Sequence, residues 1–132
     1  MAAGRYSFTI EQGATLNFEI AYKDSTGTPV DLTGYQARMQ IRPKPGSPTT
    51  YLTLSSSLGP CGTGLNMGGS SGINPPTSGT IGIYISANSS SMLNFNEASY
   101  DLEIAVGESC PIVTRILEGN VHLNKNVTLG SF

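Results

Sequence analysis

The sequence has no tryptophan, one histidine and two cysteines, and only 12% of its residues are charged. An average soluble domain carries about 25% charged residues. Here Gly, Ser, Thr and Asn fill the space, a composition common on the surfaces of extracellular and virion β-proteins. The formal net charge is −2, from seven basic and nine acidic residues. The basic residues are Arg5, Lys23, Arg38, Arg42, Lys44, Arg115 and Lys125, and only Arg38, Arg42 and Lys44 are close in sequence. Neutralising phosphates takes several clustered cations, so no nucleic-acid partner is expected. No apolar run approaches the roughly 20 residues of a membrane-crossing helix, so no membrane partner is expected either. Residues 1–5 offer no apolar stretch that would serve as a signal peptide. The expectation is therefore a protein made and kept in a cytoplasm, or one that leaves it by a route other than secretion, such as cell lysis.

Scarce residues also limit the chemistry. Cys61 and Cys110 stand 49 residues apart; a reducing cytoplasm predicts two free thiols, with a late disulfide as the alternative. Together with His122 they do not form a zinc-binding pattern. The Gly-rich run at 62–69 lacks the Gly-Lys-Ser/Thr ending of a phosphate cradle. Asp24 stands alone in its turn, short of the several carboxylates calcium needs. No cofactor and no metal is expected. His122 has no Gly-x-Ser-x-Gly elbow to serve. Asp101 and Glu103 share a strand face, and a carboxylate pair can do acid–base work. The plainer reading makes them the polar face of a strand, opposite Arg115. No catalytic residue is assigned, and the chain is not read as an enzyme. Two sequons, at Asn88 and Asn126, are read as chance.

What the sequence does have is alternation. With 132 residues, one domain spanning 1–132 is expected. Leu16, Phe18, Ile20 and Tyr22 alternate with Asn17, Glu19 and Ala21; Tyr35, Ala37, Met39 and Ile41 alternate with Gln36, Arg38, Gln40 and Arg42. Ile81, Ile83 and Ile85 repeat the pattern, as do Tyr100, Leu102, Ile104 and Val106. A period of two marks half-buried strands. Further strands are expected at 6–11, 51–54, 111–117 and 120–129, and a helical turn at 87–93, capped by Ser86 or Asn88 with Met92 and Leu93 tucked beneath the sheet. Short turns between neighbours favour antiparallel pairing. The expected fold is all-β: a single immunoglobulin-like antiparallel β-sandwich of about seven to nine strands. Residues 55–78 are dominated by Gly, Ser and Pro and read as a long loop or protruding hairpin, anchored by Leu65, Met67 and Ile73.

Gln36, Arg38, Gln40 and Arg42 form a strand face that is either solvated or meets a partner. Tyr84 lies opposite Ile83 and Ile85, where an exposed ring suits a protein contact or a sugar platform. These five residues are the candidate protein-contact set.

Four segments carry a resemblance: Phe8-Thr9-Ile10-Glu11-Gln12-Gly13-Ala14-Thr15, the run from Pro29-Val30-Asp31-Leu32-Thr33-Gly34 to Arg42, Tyr100-Asp101-Leu102-Glu103-Ile104, and Arg115-Ile116-Leu117-Glu118-Gly119. In that order they resemble the immunoglobulin-like domains of tailed-bacteriophage baseplate, tail and head accessory proteins. The resemblance covers most of the chain outside 55–78. It implies a non-enzymatic virion structural protein, in the tail or baseplate, assembled in many symmetric copies with other virion proteins. A capsid decoration (cement) protein is the alternative within that class, and a glycan- or receptor-binding module the alternative outside it. Two local expectations accompany it. Val30 and Leu32 bury while Asp31 and Thr33 bond nearby backbone at a crossover between sheets; Tyr100 acts as a corner tyrosine, its hydroxyl tying a loop to a strand.

Overall fold

The computed structural model describes residues 4–57, 59, 62–69 and 72–128. Its strands, in chain order, are β1 (Gly4–Arg5), β2 (Phe8–Glu11), β3 (Leu16–Ala21), β4 (Gln36–Arg42), β5 (Leu52–Ser55), β6 (Gly64–Asn66), β7 (Thr80–Ile85), β8 (Glu97–Val106) and β9 (Ile112–Asn124), with a short helix α1 (Ala87–Ser91) between β7 and β8. The large sheet runs β9–β8–β4–β5 with every pair antiparallel, and β1 and β2 line the other edge of β9. The small sheet is β3–β7–β6, also antiparallel. This is an all-β, immunoglobulin-like sandwich: the chain crosses between sheets after β2, β3, β5 and β7.

The alternating apolar residues form its interior. Ala37, Met39 and Ile41 on β4, Ile81, Ile83 and Ile85 on β7, and Tyr100, Leu102 and Ile104 on β8 are buried, with Ile10, Leu54 and Val121 beside them. Each buried Val, Leu, Ile or Met among them contributes about 1.5–3 kcal/mol through the apolar area it removes from water. The row on β3 is inward but only half-buried, because β3 is an edge strand of the narrower sheet. Phe18 is covered by Phe8 and Tyr6, whose ring centroids lie 5.2 and 5.9 Å away.

Several connections form as the side chains dictate. At the β3–β4 crossover Leu32 is buried, and Asp31 Oδ1 accepts from the Thr33 amide at 3.0 Å and the Thr33 hydroxyl at 2.6 Å. Asp24 closes its own turn by accepting from the amides of Thr26 and Thr28. Ser86 caps α1, accepting from the Ser89 amide at 3.2 Å. The fully buried Ser90 hydroxyl accepts from the Gly13 amide at 3.1 Å and donates to the Ala14 carbonyl at 2.8 Å, fixing the β2–β3 turn against the helix. Leu93 is buried beneath the sheet, whereas Met92 stands 83% exposed.

The structure departs from the expected strands in four places. The N-terminal strand, expected at 6–11, is two pieces, and both pair parallel with β9 rather than antiparallel. The short-turn argument does not reach this pair, because the first and last strands meet without a turn between them. The break at Tyr6 and Ser7 brings the Tyr6 carbonyl onto Gly119, where any Cβ would collide with it. Gly119 is therefore a strand residue, not the end of one, and the two strands expected at 111–117 and 120–129 are a single 13-residue β9. Finally, 55–78 is not only a loop: it crosses to the small sheet and supplies β6, whose Leu65 is fully buried. Met67 is partly buried against the core, but Ile73 is 84% exposed and does not anchor the segment.

Candidate docking face

The outer face of the large sheet is built from β4, β8 and β9. On β4 the outward residues are Gln36, Arg38, Gln40 and Arg42; Gln36 and Arg38 are exposed, Gln40 and Arg42 half-buried. Register sets Arg38 opposite Glu103, Gln40 opposite Asp101 and Arg42 opposite Ser99. Arg38 Nε donates to Glu103 Oε1 at 2.8 Å. Arg42 folds back on its own strand: Nε and Nη2 donate to Gln40 Oε1, and Nη1 donates to the Ser47 carbonyl at 2.8 Å.

The other half of the face depends on a β-bulge. Leu102 pairs with Leu117 and Glu103 with Arg115, so Ile116 is an extra residue on β9. An inserted residue shifts the alternation, and Arg115 and Glu118, three apart, both point outward. Arg115 then spans two carboxylates, with Nε 3.3 Å from Asp101 Oδ2 and Nη1 3.6 Å from Glu118 Oε2. Arg5, opposite Glu118 on β1, closes the row at 3.4 Å. Partial burial raises the Asp101 carboxyl above the ordinary aspartate range, Glu103 adds to the rise, and Arg115 opposes it. The result is an acidic stripe of Asp101 and Glu103 on β8, flanked by Arg38 on β4 and Arg115 on β9, with Glu118 held between Arg115 and Arg5 beyond it, around a shallow depression of about 370 Å³.

The five candidate contact residues do not converge. Gln36, Arg38, Gln40 and Arg42 share this face, whereas Tyr84 belongs to β7 of the small sheet, on the opposite side of the sandwich. Tyr84 is half-buried, and a Cβ on Gly62 would lie 3.6 Å from its ring. It packs against a loop rather than offering an open platform. Asp101 and Glu103 do share a face, each facing an arginine. Arg5 and Glu118 were not legible as members of the face, since strict alternation from Gly119 or Arg115 cannot reach both sides of a bulge. The adjacent apolar pair Ile116-Leu117 is the one sequence signal of the irregularity.

Outside the face, Tyr100 donates its hydroxyl to the Tyr6 carbonyl, so it ties β8 to the break between β1 and β2, as a tyrosine holding a short connection to a strand. Burial, then proximity to Tyr6, raises its phenol far above the ordinary value. His122 lies on the outer surface of β9 with Nδ1 3.5 Å from Glu97. Cys110 is exposed with a free thiol, while Cys61 falls outside the described residues, so their pairing does too. Among the described residues no group of three or more His, Cys, Asp or Glu side chains could hold a metal ion, and no helix is long and apolar enough to cross a membrane. No protein-family model matches the chain, and no curated protein matches its sequence.

Proposed function

We propose that this domain is a non-enzymatic structural protein of a tailed-bacteriophage virion, a tail or baseplate component that docks other virion proteins on the outer face of its large sheet. The observation that carries the reading is the cross-strand ion-pair network on that face. Arg38 with Glu103, and Arg115 with Asp101 and Glu118, are held in place by register and by one another. Guanidiniums ordered before contact lose little freedom on docking, and charges laid out in stripes select a partner of matching pattern. The same pairing neutralises the carboxylates that a hydrolytic reading would need.

The resemblance supplies the particle. Its segments have structural work here: Val30-Asp31-Leu32-Thr33-Gly34 makes the crossover, Tyr100 ties the first strand, and Arg115-Ile116-Leu117-Glu118-Gly119 holds both the bulge and the close approach of Tyr6. Such a protein is made in the host cytoplasm and resides in the virion. Weak contacts repeated around a symmetric particle give high avidity without a large interface. Placement on the head, as a decoration protein, is the runner-up, and the two share this docking chemistry.

Immobilised chain should capture tail or baseplate proteins from a lysate of cells infected with the phage that encodes it. Arg38→Glu with Arg115→Glu should abolish capture while the circular dichroism spectrum stays that of a β-protein. Capture of capsid protein alone would move the domain to the head. Undiminished capture by the folded double variant would remove this face from the proposal.

A further inference from the structure

The registers place the chain's charges at two ends of the sandwich. Ala21 pairs with Thr80 and Gln36 with Ala105, so the loops at 22–35, 72–79 and 107–111 share one end. That end carries the exposed Asp24, Asp31 and Glu108 against Lys23. Arg42 pairs with Ser99, Glu97 with His122 and Glu11 with Asn124, so the 43–51 loop, α1 and Lys125 share the other. There Arg42, Lys44 and Lys125 stand against Glu11 and Glu97. Arg42 and Lys44 take part in none of the ion pairs among the described residues, whereas Glu97 lies beside His122 and Glu11 Oε1 accepts from Asn124 Nδ2 at 3.1 Å. Among these described residues, one end carries three carboxylates to one ammonium and the other three cations to two carboxylates, so the ends differ in sign along the strand axis.

Both sets are fixed before any contact. Asp24 and Asp31 each use Oδ1 to close their own turns, Asp24 through the Thr26 hydroxyl at 2.6 Å and the amides of Thr26 and Thr28. These bonds favour the ionised carboxylates, which stay charged well into acid. Arg42 is pinned by Gln40 and the Ser47 carbonyl. Pre-ordered charges of opposite sign at opposite ends cannot meet within one copy, and they complement each other between copies.

We propose that copies of this chain associate head to tail, with the Arg42–Lys44 corner of one seated against the Asp24–Asp31 loop of the next. Such a contact is heterologous: it uses two different patches of each copy and propagates into a ring or a filament. Each ion pair is exposed and contributes little alone, so association is weak until closure or a scaffold makes it multivalent. The inference rests on the virion reading and extends it by naming a second copy as one partner, at the ends of the sandwich, where Arg42 is the residue shared with the sheet face.

Sedimentation of the full chain tests it. In low salt the weight-average mass should climb above the monomer as concentration rises, and in high salt it should return to the monomer, because screening removes the attraction. Asp24→Lys with Asp31→Lys should be monomeric alone, as should Arg42→Glu with Lys44→Glu. An equimolar mixture of the two should associate, since each then offers what the other lacks. Should the reversed aspartates loosen their turns, Glu108→Lys tests the same end without touching them, and it should weaken association. A wild-type chain that stays monomeric at high concentration in low salt, or a mixture that stays monomeric, overturns the proposal. A chain that is monomeric yet present in virions overturns this inference alone; one that self-associates yet is absent from them overturns the virion reading alone.

Discussion

Tyr100 shows how one side chain can hold distant parts of the chain together. Its hydroxyl is the polar tie between the sandwich interior and the kink after β1, at the point where Gly119 admits the Tyr6 carbonyl. Tyr100→Phe should lower stability by about 1 kcal/mol, the net worth of one hydrogen bond, read as a fall of roughly 3–5 °C in melting temperature. An unchanged melting temperature would show that the tie is idle. Ser90 carries more, because its removal orphans both the Gly13 amide and the Ala14 carbonyl. Ser90→Ala should cost about 1–3 kcal/mol in denaturant titration. Acid response divides the aspartates. Asp24 and Asp31 sit below their ordinary 3.8 because they accept local hydrogen bonds. Their stabilisation is present above that value and is lost as pH falls through the folded-state values. Asp101 is shifted the other way, so its charge opposes folding once pH rises through its folded value. Melting temperature against pH should therefore lose part of its acid decline in Asp24→Asn with Asp31→Asn. Asp101→Asn should not lower the melting temperature at neutral pH, although it breaks the contact with Arg115. Asp31 and Thr33 were readable in advance as local bonders; the Ser90 staple was not, since nothing in a Ser-rich run singles out the one that will be buried.

At the scale of elements, the sequence reports strands whose two faces differ in polarity. β4 and β8 fall where alternation places them because each buries one face, and burial writes the pattern; β7 falls there too, its isoleucines inward although Thr80 and Gly82 on its other side are also buried. The Ser86 cap and the turn of helix follow from local chemistry in the same way. Pairing is less visible. The parallel union of β1 and β2 with β9 joins opposite ends of the chain, and no local signal specifies it. The bulge at Ile116 changes which side chains share a face, so half of the candidate docking face was hidden behind one inserted residue. β6 is three residues inside a Gly- and Ser-rich crossing, too short for any period to register. Its Leu65 gives the element a clear test. Leu65→Ala should destabilise by about 2–5 kcal/mol, as for a fully buried leucine, measured by chemical unfolding. A loss under 1 kcal/mol, on the scale of surface substitutions, would return 55–78 to the status of an appended loop.

The whole molecule combines a conventional interior with an unequal exterior. The interior explains why the chain folds and was legible as a class of fold; the exterior, where function lies, depends on register and on which loops meet at each end. Neither the crowding of arginines on the large sheet nor the separation of Asp24 and Asp31 from Arg42 and Lys44 exists in sequence order. Gln36, Arg38, Gln40 and Arg42 share one face because one strand holds all four, which alternation alone makes readable; Tyr84 lies on a strand of the other sheet, a separation that alternation does not report. The central claim is that this sandwich is a building block of a virion. Quantitative mass spectrometry of particles purified from cells infected with the encoding phage tests it most directly. The account predicts the chain in multiple copies per particle, retained through density-gradient purification, with tail-less heads depleted of it. Its absence from intact particles, while it is abundant in the infected cell, would contradict the account.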